Sequence, residues 1–344
     1  MKTSIGDLRK RAAKRAAAKG RRGVVLVTGA AGKVGNILVS ALLERNCTVR
    51  ALVRKAADAE KLPGGAEVFI GDITKPGTLK GCCRDVDVVF HLAALLDPWR
   101  GRDALQAANV GGTASIVKEA HGAGVRRFVY ASTLGVYGKA NAGRLLRRED
   151  AGAPGSSYGA TKLLGEDEVR RGGVEFVILR LGIVYGPGFA AGMAPMLRML
   201  DRRLTPCIGS GKNRIPFVHV DDVVRAFLLA SKKREAAGGT YNVVGRPLTQ
   251  EEAFRIACKF LGVPAPGLHV PRILVMSGIR LLNSVRGLLG KKPAIMPEYV
   301  DALSLDRAFE MDRERAELGW GPEVDSEKGM AQMVRWYREE RKDA

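Results

Sequence analysis

Val25-Leu26-Val27-Thr28-Gly29-Ala30-Ala31-Gly32-Lys33-Val34-Gly35 is the stretch on which the fold turns. A short apolar run from Val24 to Val27 is closed by Thr28 and Gly29, and helical periodicity then takes over through Val34, Ile37, Leu38 and Leu42. In this arrangement Gly29 permits a tight turn, Gly32 lets backbone approach a pyrophosphate, and Gly35 lets helix and strand pack closely. The helix start offers unpaired N–H groups and positive dipole potential to an anion. An isolated glycine triplet is a weak signal. One that follows a strand and opens a helix reads as a dinucleotide site lined by Gly29, Ala31, Gly32, Lys33 and Val34.

Further apolar runs follow at Thr48–Val53, Glu67–Ile70, Val86–Leu92, Phe128–Ser132 and Phe176–Leu181, separated by helical stretches. Continuous rather than alternating apolar strands imply an α/β chain with a doubly wound parallel sheet, covered on both faces, whose ligands sit at the carboxyl ends of the strands. The second strand ends Leu52-Val53-Arg54-Lys55. An acid there would bond the adenosine ribose, whereas the Arg54 guanidinium can pair with a 2′-phosphate through two hydrogen bonds. NADP is therefore the expected cofactor, with NAD as the alternative. Asp72-Ile73 closes the third strand, within reach of adenine. Beyond Tyr185-Gly186-Pro187-Gly188 the alternation weakens, with strands at Phe217–Val220 and Tyr241–Val244 and a helix at Asp221–Ser231. The expected organisation is a basic tail at 1–23, a cofactor domain at 24–185, and a smaller C-terminal substrate lobe at 186–340 interleaved with the last sheet strands.

The 344 residues, 46% hydrophobic and 27% charged, suit a sizeable core. Cys47, Cys82, Cys83, Cys207 and Cys258 form no CxxC pair, so free thiols in a reducing cytoplasm are expected and a zinc site is not. The net charge of +20 is concentrated at the start, where residues 1–23 set Lys2, Arg9, Lys10, Arg11, Lys14, Arg15, Lys19, Arg21 and Arg22 against Asp7 alone. This segment lacks the apolar centre of a secretory signal, and its Arg-rich, acid-poor character is shared with organellar transit peptides. A solvated tail is the plainer reading, and a nucleic-acid partner is not expected. No run offers the roughly 18 apolar residues of a membrane span.

Ser156-Ser157-Tyr158-Gly159-Ala160-Thr161-Lys162 opens a helix on which Tyr158 and Lys162, four residues apart, share a face. A phenol ionises near pH ~10. A neighbouring ammonium would lower that value, so that Tyr158 could exchange a proton with a substrate oxygen. Lys162 could also hold the nicotinamide ribose. Phe128-Val129-Tyr130-Ala131-Ser132-Thr133 ends a strand in two hydroxyls, which can hydrogen-bond an oxygen as its charge changes.

Together these pieces resemble an extended short-chain dehydrogenase/reductase of the epimerase/dehydratase family, with its Rossmann fold. The resemblance rests on Gly29, Gly32 and Gly35, Asp72-Ile73, His91-Leu92-Ala93-Ala94, Asn109-Val110-Gly111-Gly112-Thr113, Ser132-Thr133, Tyr158 with Lys162, Arg180 with Val184-Tyr185-Gly186-Pro187-Gly188, and Val218-His219-Val220-Asp221-Asp222, in the family's order from 24 to about 330. It implies that Thr133 polarises the substrate, Tyr158 is the acid/base and Lys162 its partner. It also implies that Leu92, Ala93 and Ala94 line the cofactor, that the pro-S hydride is transferred, and that the chain is a homodimer through a four-helix contact including the Tyr158 helix. Asn109, His219 and Asp222 are expected to be structural. Leu134-Gly135 after Thr133 stands where 4,6-dehydratases carry an acidic pair, which leaves water elimination without its acid.

Pro271 to Pro293 reads PRILVMSGIRLLNSVRGLLGKKP. Leu274, Leu281, Leu282, Val285, Leu288 and Leu289 form one helical stripe, and the stretch contains basic residues and no acid. Such a helix can lie in a membrane interface, as a peripheral contact, gate an apolar substrate, or pack on its own protein. This stretch, with Ala316-Glu317-Leu318-Gly319-Trp320-Gly321-Pro322, resembles the 3β-hydroxysteroid dehydrogenase-like branch. Three functions stay open: an alcohol/ketone oxidoreductase on an apolar, sterol-like small molecule, a sugar-nucleotide epimerase recycling NAD, and a non-catalytic NADP-binding scaffold docked through its basic tail.

Overall fold

The structure is a computed structural model that describes residues 23–97, 100–138, 143–293 and 297–342; apart from Gly23, the basic tail lies outside the described residues. Strands β1 (Val24–Thr28), β2 (Thr48–Val53), β3 (Glu67–Ile70), β4 (Val86–His91), β5 (Arg127–Thr133) and β6 (Phe176–Leu181) open the chain. Between them lie α1 (Lys33–Glu44), α2 (Arg102–Gln106), α3 (Gly112–Ala123) and α4 (Ser157–Arg171), with a π turn at Ala107–Gly111 joining α2 to α3. Next come β7 (Ile183–Tyr185), α5 (Ala190–Asp201), β8 (Cys207–Ile208), β9 (Arg214–Ile215), β10 (Phe217–His219), α6 (Val220–Ala230) and β11 (Thr240–Val243). Then follow β12 (Leu248–Thr249), α7 (Gln250–Leu261), β13 (His269–Val270), α8 (Arg272–Leu288), α9 (Pro297–Ser304), α10 (Asp312–Ala316) and α11 (Ser326–Lys342).

The main sheet has seven parallel strands in the order β11-β6-β5-β4-β1-β2-β3. From β1 the chain first winds outward through β2 and β3, then returns to β4 on the other side of β1. The strand order therefore reverses between β1 and β4, which opens a crevice at their carboxyl ends. Both faces are covered over the inner strands, as the apolar runs require, but the edge strand β3 departs from that expectation, with Val68 and Ile70 exposed where no further strand or helix among the described residues covers them. Val25, Val27, Val88, Phe90, Val129 and Leu179 pack on one side with Leu38, Val39, Leu42 and Phe227. Leu26, Val89, Phe128, Tyr130 and Ile178 pack on the other with Ile116, Val117 and Val169. Neighbours along each strand thus go to opposite layers, at roughly 1.5–3 kcal/mol per fully buried large side chain.

A separate apolar cluster joins α5, α7 and α11 through Met193, Leu197, Phe254, Met333 and Tyr337. Asp222 ties the C-terminal segment to α6. Its Oδ1 accepts from Glu323 N at 2.9 Å and its Oδ2 from Val324 N at 3.1 Å, while its carbonyl accepts from Trp320 Nε1 at 2.9 Å. His219 caps the same helix by accepting from Asp221 N at 3.3 Å. In the structure both residues fasten the start of α6.

The outcome for α8 is sharper than the sequence permits. The helix forms, but the side it buries is Met276 and Ile279, against Val300 of α9. The leucine stripe faces outward, with Leu281 68% and Leu288 89% exposed. Among the described residues no helix is long and apolar enough to cross a membrane.

Replacing Asp222 with alanine strands the backbone N–H groups of Glu323 and Val324 and removes one of the partners of Arg225, which keeps Glu323 and the Gly321 carbonyl. A loss of about 2–4 kcal/mol is expected, read as a lower urea midpoint with unchanged m value.

Candidate active site

The crevice is built from glycine contacts. Gly29 adopts φ +68, and a Cβ there would lie 2.7 Å from Ala93 N. A Cβ on Gly35 would lie 2.2 Å from the Gly29 carbonyl oxygen, so the helix and the turn touch through bare backbone. Gly32 N donates to Gly29 O at 2.9 Å and is the residue before α1, which has no side-chain cap and no acid in its first turn. The first N–H groups of α1 are thus left for an anion. Ala31, Lys33 and Val34 lie on this turn, and Lys33 stands 5.8 Å from the Phe189 ring that begins the segment leading into α5. These residues fit a dinucleotide pyrophosphate.

Along the crevice wall, Leu92 N donates to Thr28 O at 3.2 Å and Ala93 N to Thr28 Oγ1 at 3.1 Å, which seats the Leu92-Ala93-Ala94 turn beside the glycine loop. Asn109 braces the next residue: its Oδ1 accepts from Leu95 N at 2.7 Å, and its Nδ2 donates to Leu95 O and to Thr161 Oγ1, each at 3.0 Å. It is structural, linking the β4 exit to α4. At the other end of the crevice Arg54 is exposed at the tip of β2. Burial works against the Asp72 carboxylate, but hydrogen bonds from Thr74, with Arg54 and Lys75 nearby, hold its pKa below the usual range. Ile73 is buried against Gly112.

The residues expected to react, Thr133, Tyr158 and Lys162, sit on β5 and α4. Thr133 ends β5 and its Oγ1 accepts from Gly135 N at 3.1 Å. A Cβ on Gly159 would come within 2.7 Å of Gly135 O, so the start of α4 rests directly on the turn after Thr133. That contact sets the start of α4, which carries Tyr158, beside the turn that follows Thr133. Ser156 caps α4 by accepting from Gly159 N at 3.0 Å.

The electrostatics differ from expectation. Burial pushes the Tyr158 phenol above its usual pKa rather than the ammonium pulling it down. Lys162, only 1% exposed, is itself pulled down to about 7 by burial, with Glu166 opposing the shift. Its ammonium lies over the Tyr130 ring, 4.0 Å from the centroid. In this geometry desolvation outweighs the charge of the neighbour.

Glu166 and Tyr130 are absent from the sequence-derived site. Glu166 is fully buried, and continues the Tyr158 and Lys162 face by one further helical turn. Its Oε1 accepts from Ser132 Oγ at 2.6 Å and from Arg180 Nε at 2.9 Å; its Oε2 accepts from Arg180 Nη2 at 2.9 Å and Arg170 Nη2 at 2.7 Å. Burial raises its proton affinity, but Arg180 outweighs this and the pKa lies below the usual carboxylate value. A spacing of four residues repeated beyond Lys162 was the available signal.

Glu166→Gln leaves a buried guanidinium without its counter-charge, and a cost of about 3–5 kcal/mol is expected at neutral pH. Because the folded pKa is depressed, the native pair contributes stability fully above about pH 5 and loses it as pH falls through the folded value. Urea midpoints of native and variant should converge as the medium is acidified.

Residues 25–244 match the NAD dependent epimerase/dehydratase family. Sterol demethylase protein B of Methylococcus capsulatus is 31% identical over 91% of this chain and 98% of its own length. A 3-beta-hydroxysteroid dehydrogenase of Mycolicibacterium neoaurum is 28% identical over 92% of this chain and 91% of its own. Among solved structures, MoeE5 in complex with UDP-glucose and NAD is 27% identical, with a TM-score of 0.70 over 93% of this chain and all of that one. The chain belongs to the NAD-dependent epimerase/dehydratase family of extended short-chain dehydrogenases/reductases and is an NAD(P)-dependent enzyme of oxidoreductase type.

Proposed function

We propose that the protein interconverts an alcohol and a ketone on an apolar, sterol-like substrate, using NADP(H), at the surface of a membrane. The observation that carries the apolar reading is α8. Ile273, Leu274, Leu281, Leu282, Val285, Leu288 and Leu289 are all exposed on an element of the substrate lobe. The helix and its exit carry Arg280, Arg286, Lys291 and Lys292 and no acid. An apolar flank edged only with positive charge is complementary to an anionic bilayer, in which such a helix lies in the plane of the interface. The names of the sterol- and steroid-linked relatives support the same substrate class.

The NADP preference rests on Arg54, exposed where an NAD-type site would hold a carboxylate. Bound nicotinamide supplies or accepts the hydride. Thr133 Oγ1 orients the substrate oxygen, Tyr158 gives or takes its proton, and Lys162 holds the ribose and the local positive charge. The neutral phenol suits Tyr158 to donating a proton to a developing alkoxide, the reductive direction. The free state of all five cysteines accords with a cytoplasmic setting. A homodimer through α4, whose Leu164 is exposed, belongs to the same proposal.

UDP-glucose in MoeE5 favours a second reading, a sugar-nucleotide epimerase. The two separate cleanly in a screen that follows NADPH absorbance with ketosteroids and UDP-sugars side by side. Net oxidation with a ketosteroid is expected. Isomerisation of a UDP-sugar without net cofactor change would replace this reading with the second. Tyr158→Phe should lose at least about 100-fold in turnover with NADPH affinity little changed. In flotation assays the chain should rise with vesicles containing phosphatidylglycerol, and Leu281→Glu/Leu288→Glu should abolish this; indifference to both changes removes the membrane component.

A further inference from the structure

We propose that Tyr130 is a positioning residue for the cofactor, its ring face being the seat that keeps the Lys162 ammonium charged and in place to receive the nicotinamide ribose. This rests on the cofactor role given to Lys162 above. Tyr130 is fully buried in the middle of β5, three residues before Thr133, and its hydroxyl has Thr113 as a neighbour but makes no well-formed hydrogen bond. Thr113 Oγ1 is itself engaged with Asn109 O and His91 Nε2, so the polar end of this tyrosine accounts for little of its place. The ring accounts for more: Lys162 Nζ stands 4.0 Å from its centroid. A ring face attracts a cation electrostatically, and most strongly where water is excluded.

The other charged and titratable groups around Lys162 are committed elsewhere. Glu166, one turn along α4, accepts from Arg180, Arg170 and Ser132. His91 of β4 stacks on the same ring, with centroids 5.7 Å apart, and is neutral: burial, then Lys162, pull its pKa to about 3. Its Nδ1 lies 2.7 Å from Thr28 Oγ1 and its Nε2 3.1 Å from Thr113 Oγ1. Tyr158 is also neutral near pH 7. Lys162, with a pKa of about 7, is the member of this set that titrates near neutrality.

The sign follows by linkage. Below about pH 6 Lys162 is charged with or without bound cofactor, so losing the ring weakens both states alike and the dissociation constant hardly moves. Above pH 8 the free protein holds a neutral lysine that gains little from the ring, whereas the complex needs the ammonium. Loss of the ring then weakens binding alone.

The test is NADPH binding by fluorescence titration at pH 5.5 and 8.5, with each variant's thermal midpoint measured in parallel. Tyr130→Phe keeps the ring and should bind as the native chain at both values. Tyr130→Leu and Tyr130→Met remove the ring while filling its space. Each should bind about 5- to 30-fold more weakly at pH 8.5 and within about twofold at pH 5.5. In a Lys162→Met background the same substitutions should add nothing. An equal loss at both pH values, no loss at either, or a loss that persists without Lys162 overturns the proposal and marks Tyr130 as packing. A native chain that does not bind NADPH overturns the cofactor reading itself, and this proposal with it.

Discussion

Two hydrogen bonds from the Arg180 guanidinium to the buried Glu166 carboxylate hold helix α4 against the sheet, and the geometry of the site depends on them. Tyr158, Lys162 and Glu166 stand on one face of that helix at successive turns. With Glu166 fastened to β6 through Arg180 and to β5 through Ser132, the helix has little freedom to rotate. The same guanidinium reaches Tyr137 Oη at 3.1 Å and Arg148 O at 2.9 Å, and Tyr137 donates to Asn242 Oδ1 at 2.8 Å. Asn242 N in turn donates to Glu314 Oε1 at 2.7 Å. One buried polar chain thus runs from the helix that carries Tyr158 and Lys162, across the sheet, to the C-terminal segment. Each group in it is costly to bury alone and well satisfied together.

How much of this was legible from residues alone follows from the range of the interactions. The glycine turn, the strand runs and the doubly wound order are local patterns, and β1 to β6 appear within a residue or so of where periodicity places them. Asn109, His219 and Asp222 stood out only through the family resemblance, and the hydrogen bonds that they make join segments far apart in the chain. The sign of the Tyr158 shift was not readable. Sequence spacing places Lys162 near it but says nothing of how dry the pair is, and burial outweighs the charge. Tyr130 was hidden for the same reason: in β5 it is one more apolar position, and its relation to Lys162 exists only once α4 crosses the sheet.

Helix α8 shows the complementary limit. An amphipathic stripe normally marks the side a helix buries. Here the longer stripe is exposed, and a shorter one, Met276 and Ile279, makes the contact with α9. Periodicity reports that a helix has an apolar side; only the fold tells whether the protein's own surface covers it. The crevice comes with the family's fold, whereas the proposal of an apolar substrate rests on the basic, apolar flank of α8.

The central claim is net transfer of hydride between NADPH and an apolar carbonyl compound. It is tested most directly with (4S)-[4-2H]NADPH and a 3-ketosteroid, reading the label in the product by mass spectrometry. The account predicts deuterium on the new carbinol carbon and one NADP formed per alcohol. An unlabelled product, or turnover of substrate with the cofactor returned unchanged, would contradict it.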